Sequence, residues 1–107
     1  MDSDGFIGEL IPIWIDVGIN VCGPIEVAAG NDIVAFRETF GNQMAYTGGI
    51  DKRAIAAGGE VMRNEVLRVV PPLLKQGGCV PGGVPPDISW PDFIDYLRLL
   101  TQLTGWL

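Results

Sequence analysis

Histidine is absent from all 107 residues. Its absence removes Ser-His-Asp and Cys-His catalysis and every His-containing metal site. Cysteine is scarce, with only Cys22 and Cys79, and two cysteines in a chain without a secretory start read as reduced thiols rather than a disulfide. Seven Lys and Arg are scattered among 13 Asp and Glu, for a net charge of -6. The clustered cations of a nucleic-acid footprint are therefore missing. No apolar run approaches the roughly 18 residues of a membrane span, and Met1-Asp2-Ser3-Asp4 is the opposite of a basic signal-peptide start. A cytoplasmic protein with no membrane partner is the expectation. Neither Gly-x-Gly-x-x-Gly nor a phosphate loop is present, which argues against nucleotide binding.

What remains is 48% hydrophobic, enough for the core of one small domain. Asp4 is expected to cap a helix with Ile7, Leu10, Ile11, Trp14, Ile15 and Val17 on its stripe, ended by Gly18, provided Pro12 lies in its first turn or kinks it. The run from Ile19 to Ile25 reads as a buried strand that delivers Glu26 to its end. Asn31-Asp32 caps a helix to about Phe40. Met44 to Thr47 forms a second strand, Gly48-Gly49 a turn, and Asp51 caps a short helix interrupted at Gly58-Gly59. A longer helix from Glu60 to Gln76 turns Val61, Val66, Leu67, Val70 and Leu74 inward, with Pro71-Pro72 distorting its end. Cys79-Val80 makes a short third strand. Ser89-Trp90-Pro91-Asp92 is a capping box opening a last helix, whose Phe93, Leu97, Leu100 and Leu103 share a face up to Gly105.

Repeated strand-helix units predict an α/β fold with parallel strands, either an open doubly wound sheet or a piece of a closed barrel. In both, ligands bind where strands end. The charged turn Gly48-Gly49-Ile50-Asp51-Lys52-Arg53 stands at such an end and is the first site candidate.

Several spaced motifs agree in order with one family. Asp2-Ser3-Asp4-Gly5, Leu10 to Trp14, Pro24 to Gly30, Gly48 to Arg53 and Val84-Pro85-Pro86-Asp87 resemble the carboxyl-terminal part of the uroporphyrinogen decarboxylase superfamily, over nearly the whole chain. The resemblance implies the last three βα units of a (β/α)₈ barrel, a fold of about 250 residues. The chain is thus expected to be a truncated or separately translated barrel fragment, inactive alone. The superfamily includes cofactor-free decarboxylases of tetrapyrrole acetate groups in porphyrin biosynthesis and corrinoid-dependent methyltransferases with a zinc thiolate site. The Asp51-Lys52-Arg53 turn and Val-Pro-Pro-Asp look nearer to the methyltransferase-like branch. Between Pro81 and Val84 relatives carry a longer loop with an Asp-His pair, absent here, and Cys79 stands where they have tyrosine. The substrate-gripping residues of the decarboxylases belong to the amino-terminal half of that barrel.

Five site residues follow, with Cys79 as a sixth under one alternative. Glu26 is a candidate acid or base, or a salt-bridge partner of a neighbouring loop. Asp51 is a second catalytic candidate or a helix cap. Lys52 and Arg53 are candidates for holding a substrate anion, since cations in a helix's first turn oppose its dipole. Asp4 joins them through the resemblance as an end-of-strand residue. Cys79 is a candidate zinc ligand only under the methyltransferase alternative, and otherwise a core thiol. No cofactor is expected outside that alternative, in which corrinoid and zinc would serve. The expected partner is a tetrapyrrole or small anion. A rival expectation is a non-catalytic module that pairs with itself or a missing barrel half to cover its strand edges.

Overall fold

A computed structural model describes residues 1–105. Three strands, β1 (Val21–Ile25), β2 (Ala45–Gly49) and β3 (Cys79–Gly82), form one parallel sheet in the order β1-β2-β3. Five helices alternate with them: α1 (Ile11–Asp16), α2 (Ile33–Phe40), α3 (Lys52–Ala57), α4 (Gly59–Gln76) and α5 (Trp90–Thr104). The fold is α/β, as expected. A stub at Met1 to Ser3 adds a further parallel partner to β1. Asp2 pairs with Gly23, and Ser3 N–H donates to Gly23 O at 3.1 Å.

The sheet order is sequential, so each crossover steps the same way across the sheet. Right-handed crossovers then place all helices on one face, with no reversal of strand order such as a doubly wound sheet requires. Burial agrees with that layout. Cys22, Tyr46, Met44, Phe36, Val66 and Val70 are buried together. On the opposite face Val21 and Val80 stay 47% and 54% exposed, with Thr47 open beside them. Parallel sheets are ordinarily covered on both faces, so this bare side is the fold's unusual feature.

Local chemistry sets most boundaries. Asp32 Oδ1 accepts from Val34 and Ala35 N–H and starts α2; Asp51 accepts from Arg53 N–H and starts α3. Ser89 accepts from Asp92 N–H while its hydroxyl donates to the Asp92 carboxylate at 2.8 Å, opening α5. Four expectations need correction. Asp4 caps nothing: α1 begins at Ile11 with Pro12 in its first turn, where a fixed φ and a missing N–H do no harm. Gly48 and Gly49 belong to β2 rather than to a turn. In α4 the buried residues are Met62, Val66, Val69, Val70 and Leu73, whereas Val61, Leu67 and Leu74 face outward. In α5 Tyr96 and Leu99 are buried, while Leu97 is exposed. Both helices carry apolar residues on two faces, and only packing against neighbours selects one.

Among the described residues, no helix is long and apolar enough to cross a membrane.

Candidate functional site

Glu26 leaves β1 directly after Ile25, and Lys52 opens α3 just beyond β2. Gly48 lets these two connections approach: at φ +93° it takes a conformation that disfavours other residues, and a Cβ there would come within 2.8 Å of Ile25 N. Across that gap Lys52 Nζ donates to Glu26 Oε1 at 2.9 Å, with the two side chains 43% and 20% exposed. Both border a cleft of about 340 Å³ at the carboxyl ends of the strands, together with Thr47, Gly48, Val80, Gly83 and Val84.

Asn31 holds the Glu26 segment in place. Its Nδ2 donates to Glu26 O at 3.0 Å and Gly5 O at 2.9 Å, while Oδ1 accepts from Ile7 N–H at 3.0 Å. One buried amide thus ties the amino-terminal segment to the loop carrying the cleft carboxylate. Read from sequence as part of a cap, Asn31 is instead a stitch, and Asp32 alone caps α2.

The other predicted residues lie apart from the cleft lining. Arg53 turns back on Asp51, Nε to Oδ1 and Nη2 to Oδ2 both at 3.0 Å. That guanidinium hydrogen bond is the main force holding the Asp51 carboxyl below its ordinary pKa, and it raises that of exposed Arg53 in turn. Asp51 N–H also donates to Glu65 Oε2 at 3.2 Å, and Arg68 clasps Glu65 at 2.7 Å. The turn is therefore braced against α4. Asp4 is exposed just past the stub. The structure joins Glu26 with Lys52, and separately Asp51 with Arg53.

Cys79 and Cys22 are both free thiols. Each is in register with Tyr46 from opposite sides. Two strand spacings, about 9.6 Å, therefore separate them, beyond the roughly 7 Å that a disulfide spans. Cys79 packs against the core beneath the helices, and burial pushes both thiols up in pKa. Among the described residues, no group of three or more Cys, Asp and Glu could hold a metal ion.

Arg37 escaped the sequence reading because a basic residue late in a helix is unremarkable. It is 5% exposed, and its guanidinium donates to Met44 O at 3.0 Å, Gln76 O at 3.3 Å, Gln76 Oε1 at 3.2 Å and Gly77 O. It ties the end of α4 to the segment entering β2 and so sets where both strands start.

Comparison with family models, curated proteins and solved structures returns no match. Fold and site rest accordingly on the chain's own sheet order and side-chain geometry.

Proposed function

We propose that the chain forms part of a uroporphyrinogen decarboxylase-superfamily (β/α)₈ barrel and that Lys52 in its cleft holds a carboxylate of a tetrapyrrole or other small anionic ligand. The carrying observation is the Glu26–Lys52 pair in a cleft at the carboxyl ends of sequentially ordered parallel strands. A ligand carboxylate competes with Glu26 for the Lys52 ammonium. Glu26, once released, accepts a hydrogen bond from a ligand N–H or takes up a proton. The chain alone walls the site on one side only, so it binds without turning over. Reduced thiols suit a cytoplasmic setting.

The corrinoid methyltransferase alternative fits less well. Its zinc site needs thiolates at the mouth, whereas Cys79 packs under the helices with a raised thiol pKa. The assembly alternative is favoured by one observation, the uncovered face around Val21 and Val80.

Fluorescence titration of the purified chain with uroporphyrin tests the reading. Lys52→Ala is expected to weaken binding roughly tenfold or more, the loss of one charge-assisted hydrogen bond worth about 1.5–3 kcal/mol. Equal affinity for both proteins refutes the site. Decarboxylation of uroporphyrinogen by the chain alone refutes its inactivity.

A further inference from the structure

One polar group of the cleft is left over once Glu26 and Lys52 have found each other. We infer that Thr47 is a second ligand-contact residue, its hydroxyl donating to an acidic group of the ligand other than the carboxylate on Lys52; this rests on the anionic-ligand reading above. The cleft then takes a ligand with two separated acidic groups, a narrower class than any small anion.

Of the side chains that border the cleft, only Glu26, Thr47 and Lys52 carry polar atoms. Glu26 and Lys52 hold each other at 2.9 Å. Among the described residues the Thr47 hydroxyl has no protein partner, whereas those of Thr39 and Thr104 donate to helix carbonyls and that of Ser89 to Asp92. Thr47 is exposed on the middle strand of the sheet. A hydroxyl there is free to turn toward a carboxylate and donate to it.

Strand propensity accounts for a β-branched residue at position 47. It does not account for Gly23, which lies beside Thr47 because Cys22 is in register with Tyr46. Gly23 sits within β1 and is not among the glycines of positive φ, so its backbone does not call for glycine. Thr47 does. A Cβ on Gly23 would overlap Thr47 Oγ1 and come within 3.2 Å of Thr47 Cβ. Gly23 is accordingly buried beneath a residue that is itself exposed. Glycine inside a strand marks such a close approach, and here the missing side chain seats the hydroxyl over the strand that ends at Glu26. Val80, in register with Thr47 on β3, flanks it on the other side with an apolar surface.

The two polar stations are separated along the sheet. Glu26 follows Gly23 by three residues, about 10 Å along an extended strand. One carboxylate does not bridge that span, so Lys52 and Thr47 hold different groups. A second cavity of about 300 Å³, bordered by Asp2, Val21 and Gly23, meets the cleft at Pro24 and Thr47. Thr47 thus stands at the junction, where a ligand anchored on Lys52 and extended over β1 passes its hydroxyl. A ring with acidic groups around its edge meets this spacing. A compact monoacid reaches Lys52 alone.

Fluorescence titration with uroporphyrin, beside urea unfolding of the same proteins, separates contact from structure. Thr47→Val replaces the hydroxyl by a methyl of the same shape on an exposed strand position. It is expected to weaken binding roughly five- to tenfold without lowering the urea midpoint. Thr47→Ser keeps the hydroxyl and is expected to bind within about twofold of the parent. The losses from Lys52→Ala and Thr47→Val should multiply in the double variant, to within about twofold, because the two residues hold different groups. Parental affinity in Thr47→Val, a Thr47→Ser loss equal to that of Thr47→Val, or a double variant no weaker than Lys52→Ala would each overturn the inference. With Lys52→Ala still weakening binding, the anionic-ligand reading would survive those results. A lowered urea midpoint in Thr47→Val with unchanged affinity would assign Thr47 to the sheet alone and overturn the contact as well. A parent chain that binds no uroporphyrin would sink the reading and the Thr47 contact together.

Discussion

Replacing Arg37 by Met removes a guanidinium that donates to three main-chain carbonyls while keeping a long apolar stem in the same space. The three carbonyls fare differently. Gln76 and Gly77 are exposed, so water replaces the lost donors there at little cost. Met44 is 1% exposed, and its carbonyl would be left without this donor, a penalty of about 1–3 kcal/mol. Relief works in the other direction, because a buried guanidinium facing only carbonyls is itself costly to desolvate. The net expectation is a destabilisation of about 2 kcal/mol, a large share of the roughly 5–15 kcal/mol that holds a small domain together. Urea unfolding followed by far-UV circular dichroism measures it as a lower midpoint with an unchanged slope. Arg37→Lys should fare little better, since a single ammonium cannot span carbonyls on two segments. A midpoint for Arg37→Met at or above that of the parent would refute the reasoning, and show that the cost of burying the charge outweighs the clamp.

Two further outcomes follow from the site's frame. Asp51→Ala should lose about 1 kcal/mol through the missing α3 cap. The folded Asp51 pKa lies below its unfolded value, so its contribution is present above about pH 4 and fades as pH falls through the folded value. Acid unfolding of the parent should therefore show a limb that is absent from the variant; superimposable acid limbs would exclude the ion pair with Arg53 as its source. Gly48→Ala forces a side chain into a left-handed conformation 2.8 Å from Ile25 N. The strands β1 and β2 must then part, at a cost of about 1–3 kcal/mol for the backbone alone, and Lys52 loses its reach to Glu26. A variant with parental stability and parental uroporphyrin affinity would contradict that geometry.

The pattern of strand, loop and helix was readable because the punctuation is local. Asp32, Asp51 and Ser89 cap helices by hydrogen bonds within three residues of themselves, and glycines mark where the chain turns or where strands approach closely. Glu26 and Lys52 could be nominated from their places beside strand ends, yet their 2.9 Å contact spans 26 residues of sequence. Asp51 and Arg53 looked like members of the same site. Folding paired them with each other instead, because a carboxylate two residues before a guanidinium in a helix's first turn finds it more easily than a distant ligand does.

By itself, the sequence determined the parallel α/β class, the capped starts of α2, α3 and α5 and the exclusion of histidine chemistry, all of which depend on residue type or on neighbours a few positions apart. Only the tertiary structure decided which face of α4 and α5 is core, that Asn31 and Arg37 are buried fasteners, and that one side of the sheet lies bare. Those outcomes depend on what packs against what, and an apolar or polar residue carries no mark of its partner until the chain brings the two together.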